Sequence, residues 1–413
     1  MLSEIKINFT MNNNENKYLQ RGVSADKTDV HNAIKKLSKG LYNNTFCKII
    51  DNVWEKDSES ALILHADGAG TKSSLAYAYW KETGDINVWK GIAQDAIVMN
   101  LDDMMCCGLS NNFVLSSTIG RNKNLISGDV IAAIIEGTAE FCEMMKNFDV
   151  NIEYAGGETA DVGDLVRTII VDSTMAVKIL KKNVINIDIK EGDVIVGFSS
   201  SGQAIYEDEY NSGIGSNGLT MARHEIFNSL VAQKYPETYD NHLPESVVYT
   251  GKYFLTDKIQ VKWKPKIEEV HQKIDIGKLV LSPTRTYAPL LIKTLNQYSS
   301  KINGIIHCTG GGQTKVLHFL NKNLRIVKDN VFELPILFEL IYQQNQNNVK
   351  ELYKVFNMGH RLEIYTDKET AMALIELAQS FNIDAKIVGR VEKNNQPQLI
   401  ISSEFGEFVF DKV

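Results

Sequence analysis

Proline is scarce, with 7 residues in 413, and cysteine is scarcer, with 5. Cys47, Cys106, Cys107, Cys142 and Cys308 are odd in number, and no two stand at C-x-x-C spacing. That argues against a disulfide framework or a zinc site. It fits a cytoplasmic protein whose cysteines serve as small buried apolar side chains. No apolar run reaches the roughly 18 residues that a membrane span needs. The first eighteen residues lack an apolar core and a small-residue cleavage site, so they do not read as a secretory signal. A basic excess is missing too. The 44 Lys and Arg against 51 Asp and Glu leave a net charge of −7, a poor match for a nucleic-acid backbone. G-x-S-x-G, H-E-x-x-H and protein-kinase signatures are all absent.

What remains is an ordinary globular composition, 44% hydrophobic and 23% charged, which excludes global disorder. The length corresponds to two or three domains with a cleft between them. The Asn- and Lys-rich first twenty residues are expected to be mobile. Residues 61–66 read as a buried strand ended by a glycine turn. Residues 88–107 read as a helix. A second helix follows from Ile131, Ile134, Ile135, Thr138, Phe141, Cys142, Met145 and Phe148 at helical spacing. Residues 151–155 read as a strand running into a loop at 156–161, and 167–179 as a longer β-branched strand. The texture changes at 181–192, the expected junction between residues 1–180 and 181–413. Beyond it come strands at 193–198, 304–308, 361–365 and 385–391, helices at 285–297 and 369–381, and an irregular insertion near 230–260. Strands alternating with helices predict an α/β (α+β) chain of two domains.

Three acidic, glycine-rich places carry candidate chemistry. In Asp67-Gly-Ala-Gly-Thr-Lys72, glycines free backbone N–H groups to face anionic oxygens, Lys72 can neutralise a phosphate, and Asp67 can hold a divalent metal bound to it. The pattern is not a Walker A loop, and it equally fits an ordinary glycine turn with a solvated lysine. Asp95, Asp102 and Asp103 fall on the predicted 88–107 helix, with 95 and 102 on one face. Asp102 and Asp103 oppose the helix dipole at the C-terminal end, a cost of about 0.3–1 kcal/mol each that a bound cation would reverse and that water also tolerates. Glu158 sits in a third such turn. Asp67, Asp103 and Glu158 offer hard oxygen ligands suited to Mg²⁺. Further on, Ser199-Ser-Ser-Gly202, Gly213-Ile-Gly-Ser-Asn-Gly218 and Thr309-Gly-Gly-Gly312 are small-residue turns able to receive a ligand. Pro283 and Thr284 read as a helix start with Thr284 as N-cap, and Arg285 as a phosphate clamp. His307, in an apolar strand, reads more readily as a satisfied core histidine.

In order, these motifs resemble the phosphoribosylformylglycinamidine cyclo-ligase (AIR synthetase) family. The matching text is Asp67-Gly-Ala-Gly-Thr-Lys72, Asp102-Asp-Met-Met-Cys-Cys-Gly108, Gly157-Glu-Thr-Ala160, Gly215-Ser-Asn-Gly218, Leu281-Ser-Pro-Thr-Arg285, His307-Cys-Thr-Gly-Gly-Gly312 and Phe356-Asn-Met-Gly359. Several are shared with a wider ATP-binding superfamily, and the Pro-Thr-Arg and Phe-Asn-Met-Gly segments favour the cyclo-ligase. The resemblance implies an N-terminal domain that contributes to a β-barrel in a homodimer, and a C-terminal α/β domain beside it. It implies that ATP and formylglycinamidine ribonucleotide meet between the domains and give aminoimidazole ribonucleotide, ADP and phosphate. By position it implies Asp67, Asp103 and Glu158 as Mg²⁺-binding acids and Lys72 and Asp103 as catalytic residues. Gly68, Gly70, Thr71 and Lys72 become the nucleotide loop, and Ser216, Asn217 and Arg285 the substrate side. No nucleic acid or membrane partner is implied. The alternatives are another ATP-dependent small-molecule enzyme of the superfamily and a non-catalytic relative. There are departures. Gly215 stands where many members have His before Ser-Asn-Gly. Residues 203–211 are inserted, with Glu207, Asp208 and Glu209. His360-Arg361 follow Phe356-Asn-Met-Gly359 where small and apolar residues are commoner. Arg21-Gly-Val-Ser-Ala25 replaces a more acidic motif.

Overall fold

The computed structural model describes residues 17–23, 28–34, 36–264, 268–344 and 346–412. Of the twenty residues expected to be mobile, 1–16 lie outside the described residues and 17–20 are helical; Ser24 and Ala25 of the divergent N-terminal motif also lie outside. Two short helices, α1 (Lys17–Gln20) and α2 (Thr28–Ile34), come first.

The first sheet takes β1 (Ile49–Asp51), β2 (Ser60–Gly68), β3 (Gly108–Ser110), β4 (Phe113–Arg121), β5 (Ile152–Asp161) and β6 (Ile169–Val184). Its order is β1-β2-β6-β4-β5, with β3 pairing β6. Helices α3 (Lys72–Thr83), α4 (Val88–Met105) and α5 (Gly128–Lys146) belong to the same half. In β6, Ile169, Val171, Ser173, Met175, Val177 and Ile179 are buried while 170, 172, 178 and 180 are exposed. This period-two pattern covers one sheet face and leaves the other open. Helix α5 buries the predicted stripe turned slightly: Val130, Ala133 and Gly137 join it, and Ile135 is 42% exposed. Gly137 is there for closeness, since a Cβ would stand 2.7 Å from the Lys90 Cα of α4.

β6 runs through position 180 and ends at Val184. The second sheet then begins with β7 (Val194–Ser199). Small pairs follow: β8 (Ser201–Gly202) with β9 (Asn211–Ser212), and β10 (Lys258–Trp263) with β11 (Val270–Asp275). Between and after them lie α6 (Leu219–Ile226), α7 (Ser229–Lys234), α8 (Ile276–Val280) and α9 (Ala288–Tyr298). Within 230–260 only α7, two single 3-10 turns and the start of β10 form, as the loss of periodicity predicts. The chain closes with β12 (Ile302–His307), β13 (Leu324–Lys328), α10 (Ile336–Gln344), α11 (Val349–Val355), β14 (His360–Thr366), α12 (Lys368–Ser380), β15 (Ala385–Lys393), β16 (Gln398–Ser403) and β17 (Gly406–Asp411). The sheet order is β12-β14-β7-β15-β13-β16-β17.

Both faces of this second sheet are covered, so β14 is buried at every position, its polar His360, Arg361 and Glu363 included. Ile195 and Ile306 enter one core; Val196 and Ile305 enter the other. That other core also holds Ile97 and Leu101 of α4 with Leu291 and Leu295 of α9, so the two halves share buried packing. The architecture is a mixed α/β fold of two domains. All five cysteines are free and buried, in line with their expected packing role. No helix among the described residues is long and apolar enough to cross a membrane.

Two local expectations need correction. The 156–161 segment is not a loop but the outer half of β5, paired in parallel with β4 through Asp161↔Arg121. Backbone pairing to a neighbouring strand outweighs the glycine content. Thr284 is not a helix cap: α9 starts at Ala288 with Pro289 in its first turn, and Tyr287 occupies the cap position. Thr284 has another partner, described next.

Candidate active site at the domain seam

The glycine loop comes first. β2 ends at Gly68, opposite Asp172 of β6, and Ala69 N–H donates to the Val171 carbonyl. Gly70 takes φ +58, which glycine adopts without strain. Thr71 then opens α3 and meets Thr220 of α6, their hydroxyl oxygens 2.9 Å apart. The expected phosphate loop therefore touches the helix that follows Ser216-Asn217-Gly218.

Lys72 does not face open space. It is fully buried, with Nζ donating to Asp95 at 2.8 Å and to the Ser282 carbonyl at 2.5 Å. Burial pulls its pKa down, and the Asp95 charge opposes the fall. Asp95 also accepts from Thr284 N–H at 2.8 Å and Thr284 Oγ1 at 2.5 Å. One helical repeat on, Asp102 accepts from Thr286 Oγ1 at 2.6 Å and Tyr287 N–H at 2.9 Å. Burial pushes the Asp102 pKa up, against the pull of His307 and these donors. Thus the two acids on one face of α4 are clamps on the 284–287 loop of the other domain. The dipole cost expected for Asp102 is offset by these hydrogen bonds and by the nearby charge of Arg361.

Arg285 is likewise engaged. Its Nε and Nη2 meet Glu207, the latter at 2.5 Å, and its Nη1 donates to the carbonyls of Ser199 and Ser201. Burial alone would lower its pKa, but Glu207 raises it above the ordinary arginine value. The expected phosphate clamp has its donors occupied, and the 203–211 insertion is the reason. That insertion also sends Asn211 Nδ2 to the Pro283 carbonyl at 2.8 Å and Tyr206 OH to the Thr286 carbonyl.

The three proposed metal acids are not gathered into one group. Asp103 Oδ1 accepts from His307 Nδ1 at 2.7 Å, with His65 Nε2 3.9 Å from Oδ2. Asp67 lies at the exposed end of β2, its Oδ1 taking Gly68 N–H at 2.7 Å. Glu158, exposed on β5, shares a row with Thr118 of β4 and Asp172 of β6. Two strand spacings, about 10 Å, separate Glu158 from Asp172. Among the described residues, no cluster of three or more His, Cys, Asp or Glu is placed to hold a metal ion. The physical reason is that Asp103 is claimed by the second domain, while β6 and β4 stand between the other two acids. The sequence does not single out Asp172. Its carboxyl is pushed up by burial and by the charge of Asp67, and its Oδ1 covers Gly68, 1.7 Å from where a Cβ would be. Only strand pairing reveals this neighbour.

The later glycine turns do converge. Ile214, Gly215, Asn217, Cys308, Thr309, Phe356, Asn357 and Arg361 line one small cleft of about 10 Å³. Close packing requires two glycines. A Cβ at Gly218 would stand 2.5 Å from the Phe356 ring, and one at Gly312 2.5 Å from the Phe356 carbonyl. Asn357 ties the walls together: Nδ2 donates to the Gly213 carbonyl at 2.8 Å, and Oδ1 accepts from Ser200 Oγ at 2.9 Å. Ser216 Oγ is buried without a hydrogen-bond partner. His307 does more than fill core. Arg361 Nε donates to its Nε2 at 3.2 Å, so the ring proton sits on Nδ1 and points at Asp103.

A nucleotide-type glycine loop at the end of one sheet, glycine turns at the end of another and clamps joining the two define a two-domain α/β protein with a glycine-walled cleft beside its seam. The chain belongs to the AIR synthase related protein family. The model of that family's N-terminal domain matches residues 49–177, and the model of its C-terminal domain matches 190–402. A Methanocaldococcus jannaschii protein named phosphoribosylformylglycinamidine cyclo-ligase is 29% identical over 335 residues, 80% of this chain and 78% of its own. A Caldicellulosiruptor saccharolyticus protein of the same name is 24% identical over 377 residues, 88% of this chain and 92% of its own. Among solved structures, AaThiL complexed with AMPPCP and TMP superposes with TM-score 0.52 at 13% identity, over 93% of this chain and 96% of that one. T. maritima PurL complexed with FGAR gives TM-score 0.52 at 13% identity over 94% of this chain; the chain spans about half, 50%, of PurL. At such identity the two structures speak to fold alone.

Proposed function

We propose that the chain closes formylglycinamidine ribonucleotide to 5-aminoimidazole ribonucleotide with ATP, releasing ADP and phosphate, as a step of purine biosynthesis. One observation carries this reading: both domain models of a single family, and relatives sharing a single cyclo-ligase name, extend over most of the chain. An amide oxygen is a poor leaving group. Phosphorylating it makes the departing group phosphate, and the amidine nitrogen can then attack the activated carbon. Holding nitrogen and carbon together supplies much of the rate.

Gly68, Gly70 and Thr71 receive the nucleotide phosphates through backbone N–H groups, and Lys72, the last residue of the loop, anchors it to α4 through Asp95. Nucleotide use is supported by the AMPPCP-bound AaThiL relative in fold. Ser216 and Asn217 face the ribonucleotide. Mg²⁺ fits Asp67 with Asp172 better than the set expected from the motifs. Burial and the charge of Asp67 push the Asp172 carboxyl up, a setting that welcomes a dication, and Mg²⁺ commonly takes one or two carboxylates plus phosphates. Bound there, it would offset charge on the transferring phosphoryl group.

The homodimer belongs to the same reading. Leu64, Ala176 and Val114 form one row across β2, β6 and β4 on the uncovered face of the first sheet. Leu64 is 63% exposed, Val114 46% and Ile170 46%. A second copy covering this face would complete a barrel. Sedimentation of the wild type and of Leu64→Glu tests it: a monomeric wild type overturns the dimer.

The reaction is tested by incubating the full chain with formylglycinamidine ribonucleotide, ATP and Mg²⁺ and detecting aminoimidazole ribonucleotide. Folded protein that makes none overturns the proposal. Phosphate release with a different acceptor would assign another ATP-dependent reaction.

A further inference from the structure

Four of the largest fully buried side chains are cations: Lys72, Lys328, Arg285 and Arg361. Three have a carboxylate in contact. Lys72 has Asp95 at 2.8 Å, Lys328 has Glu363 at 2.5 Å, and Arg285 has Glu207 at 2.5 Å. Arg361 is 1% exposed, and no carboxylate among the described residues lies within ion-pair distance of it. Its hydrogen-bond partners are neutral, and the charge of Asp102 reaches it only from beyond ion-pair distance. Nε donates to His307 Nε2 at 3.2 Å, Nη2 donates to the Arg285 carbonyl, and the guanidinium lies 5.5 Å from the Tyr287 ring centroid. Asp103 orients the histidine from behind at 2.7 Å. Nη1 has no partner at all, and Arg361 lines the cleft. A buried guanidinium N–H without an acceptor is costly unless something else supplies one.

The missing acceptor lies on the side of Gly215. A Cβ built there would stand 3.7 Å from both Cδ and Nη1 of Arg361. Two departures from the family pattern, glycine before Ser-Asn-Gly and arginine after Asn-Met-Gly, therefore touch in space. Arg361 fills the room that a larger side chain at 215 would need, and the glycine leaves Nη1 uncovered. Beside it, Ser216 Oγ is a second buried polar atom without a partner. The cleft volume of about 10 Å³ admits roughly one water-sized group. A single anionic oxygen can enter while the rest of its molecule stays at the open mouth.

We propose that Arg361, uncovered by Gly215, is the receptor for a phosphate monoester. The proposal rests on the ribonucleotide reading above. Two sources carry phosphate oxygens there: the ribonucleotide's 5′-phosphate and the nucleotide. The lining favours the first. It comes wholly from residues 214–361 and includes Asn217 of the substrate-side turn, whereas the Gly68–Lys72 loop contributes nothing to it.

The test titrates ribose 5-phosphate and, separately, ADP into the full-length wild type, Arg361→Lys and Gly215→Ala, with a thermal melt for each. Gly215→Ala leaves the Arg361 hydrogen bonds intact and only covers Nη1, so it decides the matter if Arg361→Lys fails to fold. Ribose 5-phosphate affinity should fall about tenfold or more in each folded variant, with ADP affinity unchanged. Unchanged ribose 5-phosphate affinity, or a wild type that does not bind it, overturns the proposal. Weakened ADP binding alone also overturns it, by giving the oxygen to the nucleotide. The titration requires no turnover. A protein that binds ribose 5-phosphate through Arg361 yet makes no aminoimidazole ribonucleotide refutes the proposed reaction and leaves the receptor standing.

Discussion

The seam between the domains and the cleft beside it use the same kinds of side chain to opposite ends. At the seam, Lys72 and Arg285 are buried against Asp95 and Glu207, the neighbouring carbonyls of Ser282, Ser199 and Ser201 accept from them too, and each of their nitrogens has a partner. In the cleft, Arg361 is buried just as deeply but keeps Nη1 unpaired. A saturated ion pair is structure, whereas an unsaturated one is a place for something to bind. The residue type does not separate the two, because lysine and arginine beside glycine turns look alike in both.

The contrast can be tested from either side. Asp95→Ala strands Lys72 in the core and should cost about 3–5 kcal/mol in chemical denaturation, the largest single effect. Lys72→Met combined with Asp95→Leu should recover only part of that loss: the apolar pair needs no partner, but Thr284 N–H and Oγ1 lose the acceptor that Asp95 gave them. Glu207→Gln would make the seam resemble the cleft, leaving Arg285 without a charge partner. It should cost about 2–4 kcal/mol, and sulfate should raise its melting temperature more than that of the wild type.

The third prediction concerns β14, which carries Arg361 and, two residues on, a saturated carboxylate. Burial pushes Glu363 up, but Lys328 and His360 pull harder and bring it to about 2, against an ordinary 4.5. A carboxyl depressed in the fold contributes stability above its unfolded value and loses it as pH falls through the folded one. The contribution, on the order of 2–3 kcal/mol, should be complete above about pH 4.5 and vanish toward pH 2. Urea unfolding across that window should show the slope in wild type and a flatter line in Glu363→Gln.

The smallest effect is expected at Asp103. Asn keeps an oxygen that can accept from His307 Nδ1, so Asp103→Asn should change KM by less than about tenfold. Its Mg²⁺ dependence should stay that of the wild type. A large shift in Mg²⁺ dependence would return Asp103 to the metal.

Much of the fold was readable in advance. Alternation along β6, the helical stripe of α5 and the shared face of Asp95 and Asp102 follow from local geometry that any neighbour must respect. The 156–161 segment was misread because glycine content speaks to conformational freedom, while pairing with β4 is made by a strand some forty residues away. Thr284 was misread for a similar reason: its side chain answers to Asp95, 189 positions earlier. The proposed site was legible as a set of turns but not as a division of labour. Asp172 hides in a strand, and Glu207 hides in an insertion.

Residue order was enough to determine the periodicities, the two-domain α/β character, the fate of the cysteines and the family resemblance, because each depends on spacing along one stretch of chain. Which charge would be neutralised and which left open depended on the tertiary structure. Electrostatic partnership is settled by distance and burial, and the folded chain brings Glu207 into contact with Arg285 while, among the described residues, holding every acid beyond ion-pair distance of Arg361.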